Sequence, residues 1–101
     1  MKNLLQAIET MNNENLVNYI FENCDDYQGY TGGIFFKFDD ITVDVEFDND
    51  DIIDYLGLDE EASDDEVLEA YENNEEKVDR HFLLEQIDEV RAELKEEIEM
   101  A

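Results

Sequence analysis

Carboxylates are the chemistry this chain offers in quantity. Between Phe38 and Glu76 lie eighteen Asp and Glu residues and not one Lys or Arg. They fall at regular intervals. Asp44, Glu46 and Asp48 recur every second residue, and Asp50, Asp51 and Asp54 crowd one short segment. Asp65, Glu69, Glu72 and Glu76 follow at steps of four, three and four. Oxygen-rich segments bind calcium when ligands occupy the first, third, fifth and twelfth positions around a glycine at the sixth. No frame here does so. Starting from Asp48, the fifth and sixth positions are Ile52 and Ile53, and the twelfth is Asp59. Starting from Asp44, the sixth is Asn49 and the twelfth Tyr55; starting from Asp59, they are Asp64 and Ala70. No metal and no other cofactor is expected.

Catalysis has little to draw on. Cys24 and His81 are the single Cys and the single His, set on separate predicted helices with no orienting motif beside either. Cys24 on an apolar stripe reads as a small core residue. His81, between Arg80 and Phe82, reads as a helix-surface or half-buried residue. Two carboxylates could in principle hydrolyse a glycoside, but with 31 acidic residues some pair always lies close by chance. Gly32-Gly33 lacks the length and the following helix of a phosphate-cradling loop. No catalytic residues are assigned, and an enzyme is not expected.

The elements that must carry these carboxylates are legible from periodicity. Leu4, Leu5, Ile8 and Met11 predict a helix over about 3–11; Leu16, Val17, Ile20, Phe21 and Cys24 predict a second over about 13–24, capped by Asn12 or Asn13. Asp25 to Gly33, with three glycines and two tyrosines, reads as a loop. Ile41 to Phe47 alternates strictly, as a half-buried strand does. With a turn at Asp39-Asp40, Phe38 faces Ile41, Phe36 faces Val43 and Ile34 faces Val45, so all six share one face of a hairpin over 34–47. Phe35, Lys37, Thr42, Asp44 and Glu46 then take the other face.

Asn49-Asp50-Asp51 reads as the cap and acidic first turn of a helix over about 50–56 that Gly57 stops. Ser63 and Glu66 fit a capping box for a helix over about 64–73 that buries Val67, Leu68 and Tyr71. A last helix over about 75–99 carries Phe82, Leu83, Ile87, Val90, Leu94 and Ile98, and four of the six bases. The chain therefore predicts one α+β domain over 1–101: an antiparallel hairpin or three-stranded sheet packed with four to five helices. The run Leu83, Ile87, Val90, Leu94 and Ile98 is also a candidate homodimer seam, although two heptads more often serve a chain's own core.

Composition narrows the function. A hydrophobic content of 43%, with six Phe and five Tyr, supports a folded core and not a disordered acidic tail. A net charge of −25 excludes direct binding to nucleic acid or to an anionic membrane, whose phosphates call for Lys and Arg. It favours a basic partner, or simple solvation. Two carboxylates about 7 Å apart in water repel by only ~0.6 kcal/mol. Many such pairs add up, so stability should rise with salt. The lone cysteine and the absence of a long apolar run or signal-like start predict a cytoplasmic protein.

Rows of carboxylates about 6.6–6.8 Å apart on a strand and one turn apart on a helix resemble the charge spacing of a nucleic-acid backbone. Small size, extreme acidity, a folded core and no catalytic set together resemble the DNA-mimic proteins of phages and mobile elements. These include anti-restriction proteins, many anti-CRISPR proteins and inhibitors of uracil-DNA glycosylase. The resemblance is one of type and spans the chain in character. It implies an inhibitor whose acidic face fills the nucleic-acid-binding groove of a host defence nuclease, a CRISPR effector or restriction enzyme. Candidate contacts are Asp44, Glu46, Asp48, Asp50, Asp51, Asp54, Asp65, Glu69, Glu72 and Glu76. Tyr27, Tyr30, Phe35 and Tyr55 are candidate apolar anchors, because charge alone discriminates poorly. The rival reading is an acidic interaction protein of another kind, an antitoxin or adaptor neutralising a basic partner. Halophilic adaptation is a third, poorly matched by nine Asn and eight Ile.

Overall fold

A computed structural model describes residues 2–39 and 41–100. Its elements run α1 (Lys2–Thr10), α2 (Asn13–Asn23), β1 (Asp26–Tyr30), β2 (Gly33–Phe38), β3 (Ile41–Glu46), α3 (Asn49–Leu56), α4 (Asp64–Asn73), α5 (Glu75–Glu85) and α6 (Ile87–Met100). The class is α+β, as periodicity predicts. The strands form one antiparallel sheet in the order β1-β2-β3.

The expected hairpin register holds: Phe38 pairs with Ile41, Phe36 with Val43 and Ile34 with Val45. All six side chains are buried, while Thr42, Asp44 and Glu46 alternate outward. Such a pattern admits one register, since a slip of one residue would turn the apolar set to water. Asp39 opens the turn with φ of 52°; Asp40, its expected second residue, lies outside the described residues.

Helices cover the inner face of the sheet and leave the outer face bare. Phe21 of α2 meets Phe36 edge-on, with ring centroids 5.2 Å apart. Phe82 of α5 stacks on Phe47 at 4.7 Å. Helix α6 runs against β3 and also packs on α1, while α3 packs on α4. Gln86 donates from Nε2 to the Glu46 carbonyl at 2.7 Å, tying the α5–α6 junction to the end of β3.

Three expectations need correction. Asp25 to Gly33 is no loop: residues 26–30 form β1, paired Asp26 to Lys37 through Tyr30 to Gly33. Pairing with β2 imposes this strand where local pattern does not. The helix expected over 75–99 is two helices broken at Gln86 (φ −103°, ψ 12°), making six helices in the described residues. Leu68 is 43% exposed, because α4 packs along the narrow line of Val67 and Tyr71.

Capping is close to expectation. Asn12 caps α2, accepting from the Asn15 amide at 2.8 Å. Helix α3 starts one residue earlier than predicted, through a reciprocal box between Asp48 and Asp51. Ser63 accepts from the Glu66 amide, but Glu66 answers through the Ser63 hydroxyl and not through its backbone. Gly57 ends α3 at φ 70°, the left-handed stop that glycine takes without a Cβ penalty.

Candidate functional site: an acidic surface over a buried carboxyl

The outer sheet face carries the first acidic row, with Lys37 of β2 exposed beside it. Asp44 and Glu46 project from β3 two residues apart, and Phe35 stands opposite Asp44 on β2, half-buried. Tyr30, 58% exposed, ends the same face on β1. Asp48 departs from this row: β3 stops at Glu46, Phe47 turns inward, and Asp48 is spent on the α3 cap. Its charge remains exposed beside Asp50, Asp51 and Asp54, which line the outside of α3.

The third expected row divides. Asp65, Glu69 and Glu72 are exposed along α4, but the chain breaks at Asn74 (φ −132°) and Glu76 belongs to α5. There Glu76 accepts from Arg80 Nε at 3.1 Å. The row is thus three residues, and Glu76 already has a cation.

One acidic group was missed in the sequence. Glu93 of α6 lies against Asp44, and its carboxyl is pushed upward by desolvation first, then by Asp44, Glu97 and Glu96. The β3 row therefore continues onto α6. The i, i+3 and i, i+4 spacing of Glu93, Glu96 and Glu97 was visible; that α6 docks beside β3 was not.

Of the apolar candidates, Tyr30 is open and Phe35 partly so. Tyr27 turns inward, stacked on Phe36 at 5.4 Å and edge-on to Phe21 at 5.3 Å. Tyr55 stacks on His81 at 3.8 Å, with Lys77 Nζ 5.7 Å from its ring centre. The dimer seam is a correction: Leu83, Ile87, Val90 and Leu94 are buried in the chain's own core, and Ile98 packs against it. Leu83, Ile87, Val90 and Leu94 therefore face inward, and Ile98 alone of the five keeps part of its side chain exposed.

Both arginines are engaged internally, whereas Lys37 on the outer sheet face and Lys95 on α6 are exposed. Arg91 donates to the Ile8 carbonyl and to Asn13 Oδ1, tying α6 to the end of α1 and the start of α2. Arg80 lies over the Phe21 ring at 4.8 Å and donates to Asn18. Among the described residues there is one Arg or Lys ion pair, Arg80–Glu76, and His81 Nε2 lies 3.2 Å from Glu85, both within α5. The acids of β3, α3 and α4 form no ion pair among these residues, although Lys37 of β2 shares the outer sheet face with Asp44.

Beneath the surface sits Asp79, 0% exposed on the inner side of α5. Its Oδ1 accepts from the Tyr71 hydroxyl at 2.8 Å, while its Oδ2 has no hydrogen-bond partner. Burial pushes its carboxyl up to about 7. Burial, and then the charge of Glu75, pushes the Tyr71 hydroxyl up as well. Gly29 of β1 makes room for the pair. A Cβ there would sit 2.4 Å from Tyr71 Oη and 2.7 Å from Asp79 Oδ2.

No group of three or more His, Cys, Asp or Glu among the described residues is arranged to hold a metal ion. Nor is any helix of the described residues long and apolar enough to cross a membrane. No family model matches the chain, and no curated protein or solved structure shows significant similarity to it.

Proposed function

We propose that this protein is a nucleic-acid mimic that inhibits a host defence nuclease by filling its basic binding groove, with a CRISPR effector or a restriction enzyme as the target class. The observation that carries this reading is that the acids of β3, α3 and α4 form no ion pair among the described residues. A solvated helix face normally mixes signs, because opposite charges one turn apart help a helix and like charges hurt it. Here Arg80, Arg91 and Lys77 brace helices or lie against aromatic rings. Lys37 is the one base on the outer face of the sheet among the described residues, so the carboxylates keep most of their field for a partner.

Docking would relieve self-repulsion among the rows and release counterions from both surfaces, making association fast and steeply salt-dependent. Glu93 would gain from a cation as well, since its carboxyl is pushed up by desolvation and then by the neighbouring acids. The partner is then a basic nucleic-acid-binding protein met inside the host cell.

The test is competition. Fluorescein-labelled DNA bound to each of a panel of such nucleases is titrated with the protein at low and moderate salt. Displacement is expected, weakened in an Asp44→Asn, Glu46→Gln, Glu93→Gln variant. Failure to displace at either salt across the panel would remove the reading. Tight binding to a basic protein without loss of its nucleic acid would favour the antitoxin or adaptor alternative.

A further inference from the structure

Between α2, β1 and the first turn of α5 lies a cleft of about 400 Å³ lined by Phe21, Tyr27, Glu75, Glu76 and Arg80. Its walls are two half-buried aromatic rings and its rim carries two carboxylates. The chain's own Arg80 occupies part of it, with the guanidinium 4.8 Å from the Phe21 ring centre and Nε on Glu76. This is how proteins hold an arginine: a flat cation on an aromatic face with a carboxylate at its edge. Glu75, beside it, has no ion-pair partner among the described residues.

We propose that this cleft seats one arginine of the basic partner and that Arg80 is its place-holder. The inference rests on the reading of a basic partner given above. Arg80 is held by Glu76, by the Phe21 ring and by Asn18 Oδ1, to which its Nη1 donates. Its pair with Glu76 is solvent-exposed, and pairs of that kind contribute little. Its Nη1 already reaches Asn18 across the neighbouring groove that also holds Glu14, and it is toward that groove that the side chain would withdraw. An incoming guanidinium would inherit Phe21 and Glu76 and would add Tyr27 and the unpaired Glu75. A lysine could use the carboxylates but not the flat faces. The cleft thus supplies the residue-level selectivity that open carboxylate rows lack.

The probes are two short peptides of alternating glycine with arginine or with lysine, titrated into the intact protein and followed by NMR. With the arginine peptide, the ring signals of Phe21 and Tyr27 and the Glu75 amide should shift together. Its affinity should exceed that of the lysine peptide by about threefold. Arg80→Gln should tighten arginine binding more than Lys95→Gln, which removes the same charge from α6. Glu75→Gln should weaken it more than Glu66→Gln. Ring signals that stay still in the unmodified protein would overturn the proposal. So would equal effects from the two members of either variant pair. No nuclease takes part, so the two readings fail separately. Localised peptide binding without DNA displacement keeps the cleft and removes the target class, and displacement with scattered peptide binding removes the cleft alone.

Discussion

Replacing Asp79 by Asn should change how stability depends on pH more than it changes stability itself. Asp79 is fully buried, and its carboxyl is pushed from an ordinary 3.8 to about 7 by loss of solvent. A raised folded value means that the folded chain holds the proton more tightly than the unfolded chain. Stability is therefore greatest below the unfolded value and is lost as pH rises toward 7, levelling above it. The gap corresponds to about 4 kcal/mol in full, of which about 2 kcal/mol falls between roughly pH 5.5 and 8.5. Asparagine stays neutral throughout and keeps an acceptor for the Tyr71 hydroxyl. Its amide group, next to Gly29, costs about 1–2 kcal/mol if it finds no acceptor, but equally at every pH. Urea unfolding followed by circular dichroism at constant ionic strength should show the two stability curves converging or crossing as pH rises. Repulsion among the surface acids is common to both proteins and cancels in the difference. A difference that stays flat within about 0.5 kcal/mol over that range would refute the reasoning, because Asp79 would then titrate as an ordinary carboxylate.

Other perturbations follow from single contacts. Gly29→Ala places a methyl group within 2.4 Å of Tyr71 Oη and should cost about 1–3 kcal/mol in thermal or urea unfolding. Arg91→Met keeps the aliphatic stem but strips the Ile8 carbonyl and Asn13 of their donor, and should lose about 1–3 kcal/mol by the same measurement. Glu93→Gln should stabilise the protein by a few tenths of a kcal/mol at neutral pH, by relieving Glu96 and Glu97 one turn away and Asp44 beside it. That gain should shrink in 1 M salt, where screening extends only about 3 Å.

How far the molecule could be read in advance depended on whether a feature was local. The pairing of β2 with β3 was legible because each strand carries its own alternation and only one register buries both. Gly57 and Asn12 were legible because stops and caps depend on single residue types. Strand β1 was not, since Asp26-Tyr27-Gln28-Gly29-Tyr30 has no apolar alternation and is extended by its neighbour. The break at Gln86 lacks the Gly or Pro that usually announces one; it lets α6 turn onto β3. The same gap hid part of the site. Asp44 and Glu93 were each visible as exposed acids, but their meeting depends on how a helix docks forty-nine residues later. Asp79 was hidden for the converse reason, as one acid among 31 that happens to face inward.

The two margins of the sheet have a consequence for how this chain behaves when crowded. At the end of β3, Gln86 holds the terminal carbonyl of Glu46, and the strand is short and carries Asp44 and Glu46. Along β1, the Tyr27 amide is taken by the side chain of Asp26, and Asp25 stands next to it. Short, charged or covered margins are how β proteins avoid adding strands from one another. Charge that elsewhere strains the fold here keeps neighbouring molecules from zipping edge to edge. Such a protein should tolerate being made quickly and in large amounts without forming fibres or inclusion bodies.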